Sequence, residues 1–190
     1  MMTTDGTHYG RFFSAMHWLL GAALLAEMVF GFLLDDIAPR GTPARAGVIN
    51  LHKTIGIWLG LAIVLRLAWR LRQREPAWPA STPHWQRRAA RLGHYAMYAC
   101  MLVVPASGYV ASNFGKYGVK LFGVALKPWG PDLPAVYDAF NLLHVGSSWL
   151  FSALIVGHVA LAIKHALVDH ERIFARISPW ALRHSTRVPT

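Results

Sequence analysis

Four runs of apolar residues, each long enough to cross the hydrocarbon core of a lipid bilayer, limit this chain more than any other feature. They cover about residues 14–34 (SAMHWLLGAALLAEMVFGFLL), 48–69 (VINLHKTIGIWLGLAIVLRLAW), 92–111 (LGHYAMYACMLVVPASGYVA) and 142–167. A helix needs about 20 residues to span a core of about 30 Å, and helices satisfy their own backbone polar groups where water is lacking. The predicted fold is therefore all-α, an integral membrane four-helix bundle crossing up-down-up-down. Composition agrees, since 54% of the 190 residues are hydrophobic and only 15% are charged. Pro, Gly and charge mark the connections. The third, GKYGVKLFGVALKPWGPDLPAVYD, is 24 residues long and rich in aromatics, so it is expected to lie along the membrane surface or cap the bundle.

A formal net charge of +10 could suggest nucleic acid, but the distribution of charge argues against it. Arg70, Arg72, Arg74, Arg87, Arg88 and Arg91 crowd the second connection, and Arg172, Arg176, Arg183 and Arg187 the C-terminal tail. The other two connections hold only Arg40, Arg45, Lys116, Lys120 and Lys127. This is the positive-inside pattern, placing both termini and the second connection in the cytoplasm of a multi-pass membrane protein whose bulk partner is membrane lipid. The first run is of span length without a small-residue cleavage site, and so reads as a retained span. Cys100, the only cysteine, falls mid-span, which excludes a disulfide, a CxxCH haem attachment and a thiolate-held iron–sulfur cluster.

Histidines interrupt the spans at two depths. His17 falls near the cytoplasmic end of the first and His52 near the outer end of the second, while His144 is outer and His158 inner on the fourth. Fourteen residues amount to nearly four turns, so His144 and His158 share a helix face about 21 Å apart. Two metal macrocycles stacked across the membrane would suit this spacing, His52 opposing His144 and His17 opposing His158. Paired imidazoles fill the axial positions of haem iron and favour electron transfer over oxygen binding. A lone histidine in a span is more often a hydrogen-bonded interior residue than a ligand, but four at two matched depths form a pattern. Gly56, Gly60, Gly146 and Gly157 would let a flat porphyrin approach the backbone, or simply let helices pack closely. His94, near the inner end of the third span, is a fifth candidate without an unpaired partner at its depth and reads as hydrogen-bonding a propionate or a neighbouring helix, and His8, His84, His170 and His184 read as solvated.

The segments HYGRFFSAMHWLL, INLHKTIGIWLGLAIVLRLAWRLR, LGHYAMYACMLVVPASGYVAS and LLHVGSSWLFSALIVGHVALAIKHALVDHERIFARISP resemble the prokaryotic cytochrome b561 family over about residues 8–179. Residues 180–190 form a basic C-terminal tail. The resemblance implies two b-type haems with iron, His17 and His158 as metal ligands of the cytoplasmic-side haem and His52 and His144 of the periplasmic-side one. It also implies an oxidoreductase of the superoxide oxidase kind, passing electrons from superoxide to ubiquinone. Where relatives often read KHH after the last ligand, this chain has Lys164, His165 and Ala166.

Four further polar residues carry two readings each. Arg66, fourteen residues after His52, could pair with a haem propionate or snorkel to the interface. Lys53 could meet an outer propionate or an anion, or anchor the interface. Glu27, about 10 Å inside the span, could relay protons or hydrogen-bond a neighbouring helix. His165, two turns beyond His158, could serve a quinone headgroup or contact lipid phosphate. An alternative function is an electron-transfer subunit without its own substrate site that docks a dehydrogenase or periplasmic redox protein. A haem-free transporter with a histidine proton path is a third.

Overall fold

The computed structural model describes residues 11–72 and 82–167. The first span is α1 (Arg11–Phe32), followed by the single turn α2 (Leu34–Ile37). The remaining spans are α3 (Arg45–Leu71), α4 (His84–Asn113) and α5 (Pro134–Leu167). All four long helices have the length and apolarity to cross a membrane. Only 6% of the apolar window of α1 and of α5 is buried in the protein, so most of their side chains face outward, as lipid contact requires.

Contacts between neighbouring helices run in opposite directions along the chain. His17 meets Arg66, and fourteen residues on Gly31 meets His52, so α1 and α3 are antiparallel. Gly108 against His144 and His94 against His158 make α4 and α5 antiparallel in the same way. Gly60 of α3 faces Pro105 of α4, where an added Cβ would lie 3.2 Å from the proline ring. Here glycine serves helix packing, letting α3 accept the one interior proline of α4. The α4–α5 seam is the most extensive, and α1 and α5 approach each other far less closely.

The helices overrun their spans at both ends. Residues 84–91, expected as connection, are helical, because Gln86, Arg87, Ala89 and Ala90 are good helix formers that continue past the apolar stretch. Pro134 begins α5 eight residues before the apolar run, at a helix start where its missing N–H costs nothing. Arg45 fastens the first connection by an ion pair with Asp35 and a 2.7 Å hydrogen bond to Ala38 O. The third connection folds as an antiparallel hairpin, β1 (Val119–Leu121) and β2 (Val124–Leu126), with Val119 opposite Leu126. It packs against α3, and its side of the bundle is called the hairpin end below.

Candidate haem-binding sites

One fourteen-residue interval recurs in every span: His17 and Gly31 on α1, His52 and Arg66 on α3, His94 and Gly108 on α4, His144 and His158 on α5. Each pair shares a helix face about 21 Å apart. The hairpin end thus gathers two histidines and two glycines, and the terminal end three histidines and an arginine.

At the hairpin end the His52 and His144 rings meet edge to face, with centroids 6.1 Å apart and planes inclined by 71°. Glycine makes room for each ring. A Cβ at Gly31 would lie 3.0 Å from His52 Cε1, and one at Gly108 would lie 2.9 Å from His144 Nδ1. His144 Nδ1 donates a 2.8 Å hydrogen bond to Val104 O, which also accepts from Ser107 Oγ. Glu27 Oε1 stands 2.7 Å from His52 Nδ1, at angles that fall outside a straight hydrogen bond. Glu27 is only 9% exposed within a membrane span, a depth at which a carboxylate needs a partner. Both Nδ1 atoms therefore face acceptors, which holds the proton there and leaves each Nε2 with its lone pair.

These residues fit a haem iron. Imidazole–metal bonds are about 2 Å long, so an atom bound between two rings sets their centroids about 6 Å apart. Among the described residues no group of three or more metal-ligating side chains converges. Opposed pairs suit a macrocycle that supplies its own equatorial ligands and needs only axial ones from the protein.

The terminal end is arranged differently. Arg66 is buried at 8% exposure, and its Nη2 lies 3.4 Å from His17 Nδ1, so the guanidinium points into the bundle rather than snorkelling to the interface. The His94 ring packs edge-on against His158, centroids 5.6 Å apart. His17 is within electrostatic reach of both His158 and His94. His94 thus stands at the inner level that its sequence position suggested, in ring contact with His158. His165, half-buried, lies in the last turn of α5 beyond His158.

Lys53 donates a 2.8 Å hydrogen bond from Nζ to Gly118 O and so belongs to the hairpin contact. Gly146 and Gly157 are exposed on the side of α5 away from its histidines, and Gly56 has only Glu27 Oε1 near it, at 3.9 Å. The glycines that make room for the histidines are instead Gly31 and Gly108. Their signal in the sequence is the fourteen-residue interval itself. His84 opens α4 and is exposed; His8, His170 and His184 lie outside the described residues.

A family model described as prokaryotic cytochrome b561 matches residues 8–180. Cytochrome b561 homolog 2 of Escherichia coli (strain K12) is 29% identical over 177 residues, covering 92% of this chain and 93% of that protein. Cytochrome b561 homolog 1 of the same organism is 21% identical over 165 residues, covering 86% of this chain and 93% of that protein. With four spans and histidines opposed across the bundle, the chain belongs to the prokaryotic cytochrome b561 family, multi-pass inner-membrane proteins that carry electrons across the bilayer with b-type haem.

Proposed function

We propose that this chain moves electrons between two bis-histidine b haems, from a periplasmic donor, superoxide, at the hairpin end to ubiquinone at the cytoplasmic end. The observation that carries this reading is the His52–His144 pair, opposed at 6.1 Å with both Nδ1 atoms facing acceptors. When bound, haem iron between two imidazoles cycles between ferric and ferrous states without opening a position for oxygen.

His52 and His144 hold the periplasmic-side group, and Glu27 and Val104 O fix their tautomers. A carboxylate near His52 makes the imidazole a stronger donor and lowers the cost of extra positive charge at the metal. His17 and His158 hold the cytoplasmic-side group. Arg66 there offers five N–H donors, well matched to a propionate. Turning toward a propionate would also free His17 Nδ1 to carry its own proton, as ligation through Nε2 needs. His165, between that level and the end of α5, is placed to hydrogen-bond a quinone carbonyl and pass it a proton from the cytoplasm. The orientation rests on the arginine-rich second connection and tail, and the anionic donor on exposed Lys116, Lys120 and Lys127 at the hairpin end.

The purified protein should show b-type absorption for two haems, become reduced by superoxide, and pass the electrons to ubiquinone. Reduction by superoxide should slow as salt rises, since charge steering is screened over about 8 Å at physiological ionic strength. A haem spectrum without turnover of either substrate would instead assign the chain as an electron-transfer subunit for a separate redox protein.

A further inference from the structure

The β1–β2 hairpin lies along α3 well below that helix's end, and side chains of α3 satisfy the backbone of its inner edge. On the α3 side, Lys120 N donates to Asn50 Oδ1 at 3.3 Å, Lys53 Nζ donates to Gly118 O at 2.8 Å, and the Thr54 hydroxyl is shared between Asn50 O at 2.8 Å and Lys120 O at 3.0 Å. On its other edge β1 pairs with β2. Three polar residues within one turn of α3, Asn50, Lys53 and Thr54, thus serve backbone atoms that a strand packed on an exposed helix could leave to water.

The tip carries the second observation. Phe122 has φ 48° and Gly123 φ 87°, so both central residues of the two-residue turn are left-handed. Such turns favour Asn or Asp followed by Gly, because a bulky side chain at positive φ is strained. Here a phenylalanine takes the first position and is 79% exposed, an apolar ring that water would not reward at a strained site. Its ring centroid is 6.4 Å from that of Trp58, which is 51% exposed on the outer face of α3. Trp58 lies thirteen residues from Arg45 and twelve from Arg70, about 20 Å and about 18 Å by helical rise. In an apolar core about 30 Å thick, that is close to the middle of the span. At the base of the hairpin stand Tyr117, 86% exposed, and Trp129, 59% exposed, the residue types that settle at headgroup level. Lys116, Lys120 and Lys127 are exposed beside them.

We propose that this hairpin is a finger inserted into the leaflet at its end of the bundle, with Phe122 and Val124 among acyl chains and Tyr117 and Trp129 at headgroup level. Through Lys53 and Thr54, the residues directly after His52 in the chain, the lipid-seated finger braces the helix that carries that histidine. The occupant of its apolar face is the bilayer itself.

Nitroxide labels on Phe122→Cys, in a Cys100→Ala background reconstituted into phosphatidylethanolamine and phosphatidylglycerol vesicles, test this directly. Val156→Cys, on the outward face of α5, provides the lipid reference, and Asp132→Cys the water reference. The ratio of collisions with oxygen to collisions with an aqueous nickel chelate should match that at 156 and exceed that at 132 several-fold. A label on Val124→Cys, which leaves the turn residues native, should give the same answer if the Phe122 variant loses its haem spectrum. Ratios at 122 or 124 equal to that at 132 would overturn the proposal and leave a water-facing hairpin suited to a protein partner.

Discussion

The two ends of the bundle share one spacing but not one chemistry. At the hairpin end the fourteen-residue interval delivers two histidines and two glycines, and acceptors face both Nδ1 atoms. At the terminal end the same interval delivers His17, His94, His158 and Arg66, and a guanidinium, which can only donate, faces His17 Nδ1. Imidazoles at the first end already present the lone pair that iron requires. His17 at the second must exchange its partner first, because a proton held on Nε2 blocks ligation there. The difference teaches that a matched depth places a ligand, whereas the neighbours of its second nitrogen decide whether it is ready to bind.

The largest test removes a ligand. His144→Ala should abolish the hairpin-end haem, halving the haem content, while His158→Ala should remove the other; pyridine haemochrome assay with low-temperature spectra of each variant reads the outcome. A His144 variant with two low-spin haems would end the comparison. At the terminal end, His17→Ala should cost that haem, and His94→Ala should retain it with a shifted spectrum. The opposite result would make His94 the ligand facing His158, a swap the 5.6 Å contact already suggests how to achieve.

Preorganisation makes the next prediction. Apo-protein titrated with haemin should fill the hairpin end first, distinguished by running the titration on His144→Ala and on His158→Ala protein. Gly108→Ala should erase that advantage, since the new Cβ would lie 2.9 Å from His144 Nδ1 and push the ring off Val104 O. Loss of such an outer-shell bond costs about 10-fold to 100-fold in metal affinity. Gly157→Ala, on the exposed side of α5, should change haem affinity little.

A smaller effect is expected from Glu27→Gln. Removing the negative charge 2.7 Å from His52 Nδ1 destabilises the ferric state more than the ferrous, so the hairpin-end midpoint potential should rise while the other stays put. Spectroelectrochemical titration separates the two; a shift shared equally by both haems would point to a general structural change. The smallest expected effect is that of His165→Ala, which should slow ubiquinone reduction several-fold with both haem spectra retained. Wild-type turnover would remove His165 from the quinone site.

Hydropathy alone determined the four spans and their alternating path, because crossing a bilayer demands an uninterrupted apolar length that no other arrangement of residues imitates. Helical rise determined depth as well: His144 and His158 had to stand about 21 Å apart on one face of α5 whatever surrounded them. Legible in the same way, but easily overlooked, was the matching interval through Gly31 and Gly108, which looks like ordinary helix-packing glycine until a histidine is seen against it. Periodicity says nothing of how far each helix is rotated about its axis toward its neighbours, and that rotation is set by side-chain packing along whole seams. Only the tertiary structure could therefore decide that Glu27 reaches His52 and that Lys53 is taken by the hairpin. The turn of Arg66 inward and the contact of His94 with His158 were settled in the same way. The third connection needed it most, since strands of three residues have too little periodicity to announce themselves, and theirs depend on hydrogen bonds with Asn50, Lys53 and Thr54, more than sixty residues away in the chain.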